Sequence, residues 1–244
     1  MKASRDFVCI RLATYEDPGE VKFLSSVYRG RSGQLENTIF ALLDSDGKQQ
    51  LARSGRSPDF AFFGDEQFVT GLEKIANEKE SPPKRFSDTQ LPLVKSVDLA
   101  LNIASSDKIQ LIIVVGENDS KVRDLSKKAL PLAWNESIGG QFVFATATTQ
   151  QELKPVGREK IENGLFIIEP GKFGMSGKLV AKFGESFDIR ETTEKLAKLS
   201  KAHTVSKDYR QHVQAGISLG IEWKTRTPVT DQQSLRALER SRGR

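Results

Sequence analysis

Apolar and polar positions along the chain repeat one pattern twice, and each copy predicts a β-hairpin. The first copy is residues 37–55, NTIFALLDSDGKQQLARSG, and the second is residues 163–184, NGLFIIEPGKFGMSGKLVAKFG. In both, an asparagine opens an apolar run, an acidic residue closes it, and a mixed polar strand follows a glycine-containing turn. Two hairpins of one pattern predict two domains of the same fold.

Further strands and helices are predicted on either side of each hairpin. Before the first hairpin the pattern predicts a strand at residues 7–14 and a helix at 18–28, which begins with Asp17 and Pro18. After this hairpin it predicts a second helix at 65–77. Before the second hairpin it predicts a helix at residues 93–105, a buried strand at 109–115, a helix at 121–132 that Ser120 caps, and a strand at 141–148. After this hairpin it predicts a closing helix at 189–199 that begins with Asp188.

A proline-containing polar stretch predicts the boundary between the domains. Residues 77–90, NEKESPPKRFSDTQ, hold a double proline among charged and polar residues, a composition typical of linkers. We therefore expect a first domain at residues 1–78, a linker at 79–91, a second domain at 92–203 and a C-terminal extension at 204–244.

The order of the predicted elements resembles that of the thioredoxin-like superfamily, whose domains run through a central strand, helix, strand, antiparallel hairpin and closing helix. The resemblance covers about residues 7–77 and 93–203. It implies an α/β fold of two tandem three-layer sandwiches, each with a central mixed sheet flanked by helices. The first domain matches only the second half of such a unit, so we expect either an abbreviated domain or a chain that starts inside a longer reading frame.

The residues that give this family its redox chemistry are missing from the matching positions. Members that exchange thiols carry Cys-x-x-Cys where the central strand enters its helix, so that the helix N-terminus lowers the pKa of the nucleophile. Here residues 116–120 read GENDS, with two acids and no sulfur. The family also has a cis-proline before the hairpin, where this chain has Asn37 and Asn163. The resemblance therefore implies a framework without dithiol chemistry.

Composition removes several further classes of function. The 244 residues include 37% hydrophobic and 28% charged residues, one cysteine and two histidines. They support neither a disulfide framework nor a transition-metal site, and we expect no cofactor. Asp44 and Asp46 do not fit the frame of a calcium loop and predict a hairpin turn instead. The apolar runs are too short to cross a bilayer.

Cys9 is the one residue that could carry thiol chemistry. It lies in the predicted strand 7–14 at the place that matches Phe144 in the repeat, which favours a small buried core residue. The alternative is a lone peroxidatic or mixed-disulfide thiol.

Basic charge is concentrated at the C-terminal end. From Lys195 onward there are 11 Lys and Arg against 4 Asp and Glu, so this region can contact nucleic acid, an anionic surface or a protein partner. A solvated tail packed on the acidic body explains the same composition. The candidate partner-binding residues are Trp223, Arg210, Arg226, Arg236 and Arg240.

The leading hypothesis is a non-enzymatic, redox-inactive thioredoxin-like protein that acts as a protein-binding or scaffold module. The alternative is a thiol-disulfide oxidoreductase that uses Cys9 or a Cys-x-x-Cys upstream of Met1. A weaker alternative is nucleic-acid association through the tail. The residues do not indicate the compartment. The default expectation is the cytoplasm, and a leader before Met1 would change that expectation to an extracytoplasmic location.

Overall fold

The computed structural model is a mixed α/β protein with one five-stranded sheet and eight α-helices among its described residues. It describes residues 3–12, 14–30, 33–36, 38–79, 90–158, 160–203, 209–222 and 224–242. The chain divides into two compact units: the first comprises Met1–Pro83 and Gly220–Arg244, and the second comprises Lys84–Leu219. The predicted linker at 79–91 falls largely on residues 80–89, outside the described residues.

In the first unit, helix α1 (Pro18–Val27) begins as the sequence predicts. The Asp17 side chain accepts a hydrogen bond of 2.9 Å from the Glu20 amide, and Pro18 occupies the first turn. Helix α2 (Asp65–Glu78) confirms the second predicted helix and buries Leu72. A short 3₁₀ helix, Pro58–Phe60, precedes it.

The first predicted hairpin forms as two isolated antiparallel bridges. Phe40 pairs with Gly55 and Leu43 pairs with Gln50. Asp44 closes the turn, because its Oδ1 accepts hydrogen bonds from the Lys48 and Gln49 amides at 2.8 and 3.1 Å. The prediction of a turn at Asp44–Gly47 is confirmed.

The predicted strand at residues 7–14 is wrong. Residues 7–12 form no strand, and within the described part of the first unit no segment pairs with them. The side chains of Val8 and Ile10 are 65% and 75% exposed. A β-branched pattern favours a strand only where a neighbouring strand supplies ladder hydrogen bonds and a core face.

The second unit contains the whole sheet. Its strands are β1 (Leu93–Val94), β2 (Gln110–Val115), β3 (Phe142–Ala147), β4 (Gly164–Pro170) and β5 (Gly177–Gly184), in the spatial order β1-β3-β2-β4-β5. β3 is parallel to β1 and β2, and β4 is antiparallel to β2 and β5. The central strand β2 is buried at every position, as its apolar run predicts.

Helices cover both faces of this sheet. Helices α3 (Val97–Asp107) and α5 (Gln150–Leu153) supply buried side chains to one face, and α4 (Asp119–Ala133) and α6 (Ile189–Ala202) supply them to the other. Ile113 and Phe166 point to the first face, whereas Ile112 and Leu165 point to the second. This alternation places one apolar cluster on each side of the sheet.

Two helix starts differ from the sequence prediction. Helix α3 begins at Val97 after Ser96, which accepts a hydrogen bond from the Leu99 amide, and the preceding residues form strand β1. Helix α4 is capped by Asn118, two residues before the expected Ser120, because Asn118 accepts a hydrogen bond of 2.9 Å from the Lys121 amide. At α4 the earlier Asn118 side chain reaches the free amides first, whereas α3 begins later than predicted because Leu93 and Val94 pair with β3.

The C-terminal region contributes to both units. Helix α7 (Tyr209–Ser218) belongs to the second unit, where its His212 ring lies 5.0 Å from the Phe173 ring. Helix α8 (Gln232–Arg242) belongs to the first unit, and the segment before it binds Tyr15: the Tyr15 carbonyl accepts from the Arg226 and Thr227 amides, and the Tyr15 hydroxyl accepts from the Asp231 amide. This part of the tail is therefore packed on the first unit.

Candidate functional site

A polar site forms in the second unit where β2 ends, α4 begins and β4 starts. Gly116 follows β2 and donates a hydrogen bond of 3.1 Å to the Ala147 carbonyl of β3. A Cβ atom at Gly116 would lie 2.9 Å from the Val122 backbone nitrogen, so only glycine lets the helix start this close to the strand end. The next residues, Glu117 and Asn118, carry the chain into α4.

Asn163, the residue before β4, connects the start of α4 to the end of β5. Its Oδ1 accepts a hydrogen bond of 2.9 Å from the Glu117 amide, and its Nδ2 donates one of 3.4 Å to Glu185 Oε2. Lys121 Nζ lies 2.6 Å from the same Glu185 oxygen, and Lys128 Nζ donates to the Glu185 carbonyl at 2.9 Å. The first turns of α4, the start of β4 and the end of β5 thus share one polar network.

The ion pair moves the pKa values of both partners further from neutral pH. The hydrogen bond to Lys121 lowers the pKa of Glu185, and the hydrogen bond to Glu185 raises the pKa of Lys121. At neutral pH Lys121 is therefore a fully protonated ammonium group, which has no lone pair for attack on a substrate. The pair connects the first turn of α4 to the residue that follows β5.

An open cleft of about 320 Å³ lies beside the network. It is lined by Lys121, Asp124, Leu125, Lys128, Glu185 and Ser186. None of these residues carries a thiol or an imidazole. The cleft offers paired charges and one hydroxyl.

A larger cleft, of about 470 Å³, lies between β5 and α6. Its lining residues are Ala181, Lys182, Phe183, Lys195, Lys198 and Leu199. We call this cleft the β5–α6 groove. Its apolar floor and three lysines distinguish it from the mixed charges of the smaller cleft.

The described ranges contain neither a cluster of metal-ligating side chains nor a membrane-spanning helix. No three His, Cys, Asp or Glu side chains of those ranges come close enough to hold a metal ion. No helix within them is both long and apolar enough to span a bilayer.

The structure corrects the expectation for Cys9. The sequence favoured a buried residue on an inner strand, but Cys9 is exposed and lies in the unpaired segment 7–12. Cys9 is exposed because no described strand pairs with residues 7–12 and covers its side chain. Cys9 belongs to the first unit, and the residues of the Asn163 network belong to the second.

The candidate partner-binding residues divide between the units. Arg210 is exposed on α7 of the second unit, and Arg226 and Arg236 are exposed in the C-terminal part of the first unit. Trp223 and the side chain of Arg240 lie outside the described residues.

Comparisons of the chain with protein-family models, curated proteins and solved structures found no match.

The sequence singled out two parts of this site, residues 116–120 and Asn163, as the positions that match the family's Cys-x-x-Cys and cis-proline, and it did not indicate Glu185 or Lys121. Asn163 stood out because it occupies the position before the hairpin. Glu185 and Lys121 gave no signal, since each is one charged residue among many and they are 64 positions apart in the chain. The lysines of the β5–α6 groove were also missed, because their convergence depends on how α6 packs across the sheet.

Proposed function

We propose that the chain is a redox-inactive thioredoxin-like protein that binds a protein partner as a scaffold module. The strand order β1-β3-β2-β4-β5 in the second unit, with helices on both faces, supports the family assignment. The antiparallel bridges at Phe40 and Leu43 support a related hairpin in the first unit.

The observation that carries the proposal is the polar network at the start of α4. The resemblance places a dithiol at this helix start and a cis-proline at the start of the hairpin. Here Asn118 caps the helix, and the Asn163 side chain binds the Glu117 amide. The Glu185–Lys121 pair lies beside them. Asparagine side chains bind the backbone amides of Glu117 and Lys121 at this helix start, and no thiol lies where the helix N-terminus would lower its pKa. These side chains can therefore stabilise the fold, but they cannot exchange a disulfide.

A disulfide reductase assay tests the redox part of the proposal. The purified chain is added to insulin and dithiothreitol, and insulin reduction is followed by turbidity. We expect the rate seen with buffer alone. The Cys9→Ser variant is the control: turnover by the natural chain that disappears in this variant would contradict the proposal.

One observation favours the alternative thiol chemistry, and it is the exposure of Cys9. A lone exposed thiol can attack a peroxide or a disulfide if it is more reactive than free cysteine. The rate of Cys9 sulfenic acid formation, trapped with dimedone under dilute hydrogen peroxide and quantified by mass spectrometry, separates the two functions. A rate like that of free cysteine supports the scaffold, and a rate about a hundredfold higher would support the peroxidatic thiol.

A further inference from the structure

Strand β5 leaves one edge of the sheet open. It pairs with β4 along Gly177–Gly184, and within the described ranges no strand pairs with its other side. An edge strand presents unpaired N–H and C=O groups that another extended segment can bind.

Helix α6 turns this edge into a groove. Leu196 is fully buried on the helix face that packs on the sheet, and Leu199, one turn later, lines the groove together with Phe183 and Ala181 of β5. An edge strand flanked by a helix is the arrangement in which some recognition domains bind extended peptides by strand addition. The apolar floor provides a place for one apolar side chain of such a peptide.

The charged residues that line the groove are all lysines. Lys195 and Lys198 line it from α6 and Lys182 lines it from β5, with the Lys182 ammonium over the Phe166 ring on the other face of the sheet, and no carboxylate is among the lining residues. Lys195 is partnered by Glu191 of its own helix at 2.5 Å, and Lys182 by Glu162. These pairs are exposed to solvent, so a stronger carboxylate ligand can replace them at small cost.

We propose that the β5–α6 groove binds an extended acidic peptide segment of a protein partner as a sixth strand of the sheet. This inference rests on the proposed function and names the partner's chemistry. Main-chain hydrogen bonds to β5 would provide affinity, an apolar side chain would contact Phe183 and Leu199, and flanking carboxylates would contact the lysines. A second copy of the chain fits poorly, because pairing two β5 edges brings two sets of lysines together.

The probe for the test is a fluorescein-labelled heptapeptide of alternating Glu and Val with a central Phe, measured by fluorescence anisotropy with the full chain at low salt. One control peptide has Lys in place of each Glu. Another keeps every Glu but has Pro in place of each Val, which removes backbone donors and the extended pairing geometry.

The matched protein variants remove two charges each. Lys195→Gln with Lys198→Gln changes the groove, and Lys22→Gln with Lys74→Gln changes exposed helical lysines of the first unit. Lys74 matches Lys195 in having an ion-pair partner one helical turn away, Glu78. We expect the groove variant to weaken binding of the acidic peptide about tenfold and the control variant to weaken it less than about twofold. Circular dichroism and thermal midpoints check that both variants are folded.

Four results would overturn the inference: no binding of the acidic peptide, equal binding of the proline peptide, equal loss in both variants, or dimerisation of the chain that the groove variant abolishes. Absence of binding would mean that the lysines only protect the sheet edge from aggregation. The reductase assay reports separately on the proposed function, since Cys9-dependent turnover would contradict the scaffold whatever the peptide does.

Discussion

Asn163 Oδ1 accepts a hydrogen bond of 2.9 Å from the Glu117 amide, 46 positions earlier in the chain. This contact fastens the first residues of the β4–β5 hairpin to the loop that enters α4. It also satisfies an amide that precedes the helix cap, so the loop and the hairpin hold one another in place.

We expect Asn163→Ala to lower the free energy of unfolding by about 1 kcal/mol, because one backbone amide loses its partner in a partly solvated site. Urea unfolding followed by circular dichroism measures the change. Asn163→Asp keeps an acceptor oxygen for the Glu117 amide and places a second carboxylate beside Glu185, so it separates the hydrogen bond from the charge. An alanine variant as stable as the natural chain would contradict a stabilising role for this contact.

The Lys121–Glu185 pair predicts a pH dependence of stability. The pKa of Glu185 is lowered below its ordinary value of 4.5 by the hydrogen bond from Lys121. The contribution of Glu185 to stability is therefore fully present above the unfolded pKa and is lost as the pH falls through the lower folded pKa.

We expect the Lys121→Gln variant to lose less stability than the natural chain between pH 6 and about pH 3. Urea unfolding at a series of pH values gives the two curves. Lys127→Gln, which changes an exposed lysine of the same helix, is the control and should follow the natural chain. Parallel curves for all three proteins would show that the pair contributes nothing to acid sensitivity.

Two isoleucines that the sequence pattern places in strands should differ sharply in how much stability is lost when each is replaced by alanine. Ile113 is fully buried in β2, and Ile10 is 75% exposed. We expect Ile113→Ala to destabilise the protein by about 2–5 kcal/mol and Ile10→Ala by less than about 0.5 kcal/mol. Chemical denaturation of both variants provides the comparison, and similar losses would restore residues 7–14 to the core.

Cys9 should react readily with thiol reagents in the native protein. Its side chain is exposed, so we expect labelling by Ellman's reagent at a rate within about tenfold of that in the urea-unfolded chain. Cys9→Ser gives the background. Labelling slower by several orders of magnitude would show that the thiol is covered.

Local sequence patterns were sufficient to predict an element where the residues that stabilise it lie within one short segment. Asp17 with Pro18 predicts the start of α1, Asp188 predicts the start of α6, and the unbroken apolar run at residues 109–115 predicts the buried strand β2. Each rests on neighbours a few residues apart: a cap oxygen near free amides, or a run too apolar for any exposed face.

The same reasoning failed where the partner lies far along the chain. Residues 7–14 and 141–148 have similar patterns, yet Phe144 is buried in β3 between two strands and Cys9 is exposed. A strand pattern specifies which side chains could be buried, but ladder hydrogen bonds require a second strand that the segment itself does not contain. The sequence by itself therefore determined the α/β class, most helices and the absence of sulfur from residues 116–120, where α4 begins. Only the tertiary structure decided that Asn163, Glu185 and Lys121 form one network and that three lysines line the open edge of β5, because such convergence depends on how the sheet and helices pack.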